Sequence, residues 1–122
     1  MKIRIKGASV RLRLSKSEVA GIVDEGFIMD ETPFANDTFR YALQRLPDGN
    51  QLSADFKDGC ITVFVPAPLI KDWDTNSLVS IEANTTLTTG GNLYLLLEKD
   101  FQCIDQTTED QSDNYINPNK NC

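Results

Sequence analysis

Val10-Arg11-Leu12-Arg13-Leu14 and Ile61-Thr62-Val63-Phe64-Val65 are two alternating runs set 51 positions apart, and their surroundings keep the same offset. Upstream, Ile5-Lys6 falls on Phe56-Lys57; downstream, Val19 falls on Ile70, Ile22 on Trp73 and Phe27-Ile28 on Leu78-Val79. After a gain of three residues, Phe39-Arg40-Tyr41-Ala42-Leu43-Gln44-Arg45 matches Leu93-Tyr94-Leu95-Leu96-Leu97-Glu98-Lys99. The apolar pattern repeats while the identities hardly do. Such self-similarity implies one supersecondary unit built twice, each copy burying its apolar face on the other. The expected fold is mainly β (α+β by content): a small pseudo-twofold β-barrel of two ββαβ-type repeats, about residues 2–46 and 53–99, with two short helices. A single domain would then cover residues 1–101, with a polar acidic tail over 102–122.

Residues 2–6 and 10–14 alternate around Gly7-Ala8-Ser9, which predicts an antiparallel hairpin. Period-2 geometry places Ile3, Ile5, Val10, Leu12 and Leu14 on one face and leaves the bases for the other. Ser15-Lys16-Ser17-Glu18 is a capping box, Val19, Ile22 and Val23 form an apolar stripe, and Gly26 suits a helix C-terminus. Further strands are expected over residues 27–30, 39–46, 52–57, 60–65, 78–83 and 93–99, with a loop around Pro33 over 31–37. Pro47-Asp48-Gly49-Asn50 and Asp58-Gly59 mark turns, and Pro66 and Pro68 introduce a second short helix over 69–73. The core should further include Val19, Ile22, Ile61, Val63, Val65, Ile70, Trp73, Val79, Ile81, Leu95 and Leu97. Trp73 reads as a core plug with its N–H bonded.

The 122 residues suffice for one ordinary domain, with the 40% apolar and 25% charged content of a soluble globular chain. No apolar run approaches the ~20 residues of a membrane span, and the alternating N-terminus lacks a signal peptide's apolar block. No membrane association is therefore expected. Three cysteines (60, 103, 122) without an export signal fit reduced thiols in a cytoplasm; Cys60 reads as a small core residue, and a Cys103–Cys122 pair is the alternative to free thiols.

Charge is unevenly placed. Residues 1–16 hold six bases (Lys2, Arg4, Lys6, Arg11, Arg13, Lys16) and no acid, whereas the remaining residues are strongly acidic and bring the total to −6. A basic stripe on an acidic protein binds an anion or is neutralised by the protein's own acids. The six bases are the candidate anion-binding residues, and a polyanion or a protein is the expected kind of partner. Asp105, Glu109, Asp110 and Asp113 of the tail are expected to fold over the stripe, pinned by Tyr115 and Ile116, with a tail carboxylate in salt-bridge reach of Arg4, Arg11 or Arg13. The competing reading is an ordinary solvated strand face, in which lysine blocks sheet-to-sheet association. Residues 1–16 contain no aromatic, so DNA binding is not favoured.

Catalytic chemistry is poorly supplied. The chain has no histidine, which removes Ser-His-Asp and Cys-His pairs and imidazole metal ligands. The carboxylates at Asp30-Glu31, Asp72/Asp74 and Glu109-Asp110/Asp113 lack calcium-loop spacing, and Gly90-Gly91 lacks the phosphate-loop pattern. No catalytic residue, metal or cofactor is assigned. These features favour a non-enzymatic binding or regulatory domain. The alternative is an enzyme acting on a phosphate-rich substrate, with Glu82 and Glu98 holding a divalent cation. Phe34, in the proline loop, is a candidate for lining an opening.

Met1-Lys2-Ile3-Arg4-Ile5-Lys6-Gly7, Arg11-Leu12-Arg13-Leu14 and Lys16-Ser17-Glu18-Val19 resemble the opening of a family of uncharacterised small bacterial proteins. Glu98-Lys99-Asp100-Phe101-Gln102-Cys103, Glu109-Asp110, Asp113-Asn114-Tyr115 and Asn117-Pro118 resemble its ending. The resemblance spans essentially the whole chain and implies a bacterial, cytosolic protein without supplying an activity. Ile61-Thr62-Val63-Phe64-Val65-Pro66, the apolar segment to Trp73, and Leu78-Val79-Ser80-Ile81-Glu82 look like the strand–Pro–helix–strand unit of AbrB-type swapped-hairpin or double-psi barrels. The Gly-Asp pair of that pattern is replaced by Asn76-Ser77, so this likeness implies a barrel more than DNA binding.

Overall fold

Glycine turns and alternating runs divide the described residues into eight strands. The computed structural model describes residues 1–101 and 113–116. The elements are β1 (Lys2–Ile5), β2 (Ser9–Leu14), α1 (Lys16–Asp24), β3 (Phe27–Pro33), β4 (Thr38–Leu46), β5 (Ser53–Lys57), β6 (Cys60–Pro66), a 3₁₀ turn (Ala67–Ile70), β7 (Ser80–Thr86) and β8 (Asn92–Lys99). They form two four-stranded sheets, ordered β1-β2-β8-β7 and β3-β4-β6-β5. Each sheet joins two antiparallel hairpins through a central parallel pair, β2 with β8 and β4 with β6. Val10 stands opposite Leu95 and Leu12 opposite Leu97 in the first; Ile61 stands opposite Tyr41 and Val63 opposite Leu43 in the second.

The expected closed barrel is not formed. Strands β1, β7, β3 and β5 remain edges of two separate sheets. Between the sheets one apolar cluster gathers Leu12 and Leu97 from the first and Leu43 and Val63 from the second, plugged by Val19, Ile22, Ile70 and Trp73 from the two helical connections. Short edge strands bearing lysine and arginine, as β1 does, resist further strand pairing. Trp73 is fully buried and its indole N–H donates to the Leu78 carbonyl at 2.8 Å, as its sequence position predicts.

The capping box forms as read. Ser15 Oγ accepts from the Glu18 amide at 3.4 Å and Glu18 Oε1 accepts from the Ser15 amide at 2.9 Å. Gly26 ends the helix at φ +82°, a conformation in which a Cβ is strained. The second helical segment differs. Two prolines and the short span before Trp73 leave only a 3₁₀ turn over Ala67–Ile70, followed by irregular turns. Those turns add two residues, so β7 begins 53 positions after β3 instead of 51. Leu78 and Val79 consequently precede the strand, and Val79 is 44% exposed instead of in the core. Ile5, the last residue of β1, is likewise exposed (54%) and not in the core. The loop expected around Pro33 is shorter: β3 runs through Pro33, which an edge strand tolerates. Cys60 is half-buried at the start of β6, not a core residue, and is unpaired. The core also takes in Leu43 and Leu52, both fully buried.

Candidate anion-binding face

Lys6 and Ser9 close the first hairpin through reciprocal main-chain hydrogen bonds of 3.1 Å, with Gly7 at φ +54°. A positive φ at the first of two central residues is the glycine requirement of a type II′ turn. This tight turn fixes the register, setting Lys2 opposite Arg13 and Arg4 opposite Arg11. Since Val10, Leu12 and Leu14 are buried, these four bases share the outer face of the sheet. The parallel partner β8 continues that face, with Tyr94 opposite Ser9, Leu96 opposite Arg11 and Glu98 opposite Arg13. Glu82 of β7, opposite Leu96, completes it.

Like charges placed directly opposite on neighbouring strands destabilise a sheet unless something neutralises them. One end of the face is neutralised. Glu98 Oε1 lies 2.6 Å from Arg13 Nε and 3.5 Å from Arg11 Nε, and Asp100 lies 2.9 Å from Lys2 Nζ. The turn end is paired less closely by the described residues. Arg4 and Lys6 make no ion pair among the described residues, and the longer contact to Glu98 is the one Arg11 makes. A cavity of about 200 Å³ opens there, lined by Arg4, Lys6, Ser9, Val10, Arg11 and Tyr94. Among the described residues no carboxylate belongs to that lining.

Tyr94 is half-buried at the rim, and its hydroxyl donates to Glu82 Oε2 at 2.5 Å. That hydrogen bond, with lesser contributions from burial and the Glu82 charge, raises the phenol above its ordinary pKa of 10.0. The two candidate cation ligands are therefore already engaged: Glu82 by Tyr94, and Glu98 by Arg13 and Arg11. Among the described residues no cluster of three or more His, Cys, Asp or Glu side chains could hold a metal ion.

Of the six predicted bases, Lys2, Arg4, Arg11 and Arg13 line up on one face and Lys6 joins them at the turn. Lys16 does not. It begins α1, its ammonium lying 5.9 Å from the Tyr115 ring centroid. Tyr115 also packs on Phe101 and beneath Lys99, and its amide donates to the Asp100 carbonyl at 2.8 Å. The tail is thus anchored at Tyr115, whereas Ile116 is 77% exposed and pins nothing. Asp113 accepts from the Ser17 hydroxyl at 2.5 Å and its carbonyl accepts from the Lys16 amide at 2.9 Å. It therefore engages the start of α1 instead of Arg4, Arg11 or Arg13. Asp105, Glu109 and Asp110 lie outside the described residues, as do Cys103 and Cys122.

The sequence reading missed Tyr94 and Ser9 as neighbours of the bases. Strand alternation marks both as outward-facing, but only the parallel β2–β8 pairing, between strands distant in sequence, brings Tyr94 to the hairpin.

The model described as a family of unknown function (DUF7009) matches residues 1–119, and the chain belongs to that family. No curated protein and no solved structure matches, so the local likeness of residues 61–82 to AbrB-type units gains no support. Among the described residues, no helix is long and apolar enough to cross a membrane.

Proposed function

We propose that this protein is a non-enzymatic binding or regulatory domain that takes up a phosphate-class oxyanion at the turn end of its first hairpin. One observation carries the reading: Arg4, Lys6 and Arg11 converge on a cavity whose described lining holds no carboxylate, while Glu98 and Asp100 pair closely with Arg13 and Lys2 at the far end of the face and Glu98 reaches Arg11 only at 3.5 Å. An oxyanion between Arg4 and Arg11 relieves their cross-strand repulsion and accepts from both guanidinium forks, while the Ser9 hydroxyl already donates to the Lys6 carbonyl at 2.8 Å. The cavity is smaller than the ~300 Å³ at which drug-sized ligand sites begin, which fits a compact group. The test is calorimetric titration of the full chain with inorganic phosphate and pyrophosphate at low salt. Saturable binding that weakens with salt and is lost in Arg4→Glu is expected; no heat in the unaltered protein overturns the reading.

The acidic run Asp105–Asp113 belongs to the same proposal as an intramolecular competitor for the bases. Its support is the anchoring of the tail beside them: Asp113 and Asn114 share a cavity of about 350 Å³ with Lys2, Arg13 and Asp100. The proposal also keeps residues 1–101 as one domain built by internal duplication. In support, the 51- and 54-residue offsets carry the β4–β6 register onto that of β2–β8, so that Tyr41 opposite Ile61 corresponds to Leu95 opposite Val10. A bacterial, cytoplasmic setting rests on the sequence resemblance and on the unpaired Cys60.

A further inference from the structure

The oxyanion cavity has an aromatic wall that its basic residues do not account for. Tyr94 lines it beside Ser9 and Arg11, on the same outward face of the sheet. Among the described residues no other aromatic ring and no cation stacks on it; the ring contacts involve Phe39, Tyr41, Phe101, Tyr115 and Trp73 instead. Its hydroxyl is held by Glu82 at 2.5 Å, which fixes the ring's position without occupying its faces. A phosphate held by Arg4, Lys6 and Arg11 therefore sits next to a positioned, half-buried aromatic surface.

Resting on the oxyanion reading above, we infer that the ligand is a nucleoside phosphate unit, its phosphate on Arg4, Lys6 and Arg11 and its base stacked on Tyr94. Aromatic stacking supplies affinity for any base because every base has a π-face. The charge pattern limits the ligand's length. Glu98 and Glu82 stand on the two strands beyond β2, so the face turns from basic to acidic within the width of one sheet. An extended polyanion crossing the sheet would meet those carboxylates, whereas a mononucleotide or a strand end would not.

The experiment titrates the full chain with inorganic phosphate, AMP and a short single-stranded oligodeoxyadenylate at low salt. AMP should bind about tenfold more tightly than phosphate, the gain expected from one stacked base. Tyr94→Leu should bring AMP down to the phosphate level while phosphate binding stays within about twofold, and Tyr94→Phe should keep the AMP preference. An oligonucleotide that binds more tightly than AMP makes a strand end the source of the nucleoside phosphate; equal or weaker binding makes it a free nucleotide. In the unaltered protein, AMP but not phosphate should move the Tyr94 ring-proton resonances upfield, a readout independent of any variant's folding. Equal affinities for AMP and phosphate, or no ring shift, overturn the nucleoside inference and leave the oxyanion reading standing. Failure of phosphate and AMP alike overturns both.

Discussion

Arg45 and Lys99 occupy the inward-facing ends of β4 and β8, and each donates to main-chain carbonyls of a helical connection or the turns that follow it. Arg45 Nη1 donates to the carbonyls of Val23 and Ile22 in the last turn of α1, while Lys99 Nζ donates to the Asn76 carbonyl at 2.8 Å. Their parallel partners are Val65 and Leu14. Helix α1 has no basic residue in its own last turn, so the positive charge favoured at a helix C-terminus comes from a strand far along the chain. Gly26 makes room for it, since a Cβ there would lie 3.1 Å from Arg45 Nη2.

Arg45→Met should therefore destabilise the fold through the loss of hydrogen bonds, with the stem's packing largely kept. Leaving last-turn carbonyls without their charged donor costs about 1–3 kcal/mol, which a domain of this size shows as a fall of several degrees in melting temperature. Arg45→Lys should recover part of the loss. A variant melting with the unaltered protein would show that water replaces the guanidinium at no cost.

Lys99 gives a pH-dependent signature. Burial holds its ammonium below the ordinary 10.5, while the Asp74 charge works weakly in the other direction. A base with a lowered folded-state pKa is penalised for its charge in the fold, fully below that folded value. The penalty fades as pH rises from there to 10.5. The stability of the unaltered protein relative to Lys99→Met should therefore increase as pH rises toward 10.5, measured by urea unfolding. A flat difference would show that the ammonium is solvated in the fold.

Local patterns made much of this fold legible, and long-range pairing hid the rest. Ser15 and Glu18 specify the start of α1 whatever surrounds them, and Leu12, Val63 and Leu97 are core by alternation alone. Val79 failed because a constant offset carries no information about a loop that gains two residues. Barrel and two-sheet arrangements use the same apolar stripes, so periodicity could not choose between them. The basic stripe was visible as charge, but its division into a neutralised end and an open end depends on Glu98, which only the parallel β2–β8 register places beside Arg13.

Glu98 restrains the proposed site. It holds Arg13 closely and Arg11 more loosely, so an incoming oxyanion must compete for Arg11. Glu98→Gln should tighten phosphate binding a few-fold, the scale of an exposed ion pair at about 0.2–1 kcal/mol. Titration of the variant checks this, and unchanged or weaker binding would mean that Glu98 positions Arg11 instead of competing for it.

Asp113 ties the tail to α1, and acid should loosen it. Hydrogen bonds from Ser17 and then Ser15 hold its carboxyl below the ordinary 3.8, with the Lys16 charge contributing less. A carboxyl with a lowered folded-state pKa contributes stability that is present above 3.8 and lost as pH falls through the folded value. Hydrogen exchange at the Lys16 amide, which donates to the Asp113 carbonyl, should accelerate below about pH 3.8 before global unfolding. Asp113→Asn should show the faster exchange already at neutral pH.

Competition by the tail is testable without disturbing its anchor. The Tyr115 contacts to Phe101 and Lys99 hold residue 115 against the domain, and the proposal is that acids tethered through it compete for the bases of the hairpin. Truncation would also uncover Lys99, which confounds its effect with stability. Converting Asp105, Glu109 and Asp110 to Asn, Gln and Asn keeps Asp113 and Tyr115 in place. If those acids compete for Arg4, Lys6 and Arg11, the variant should bind phosphate several-fold more tightly at low salt. The advantage should shrink once the Debye length falls below ~10 Å near 0.1 M salt, because a tethered acid then interacts less with exposed bases. Equal affinity of the two proteins at low salt would reject self-competition and leave the open end of the hairpin controlled by Glu98 alone.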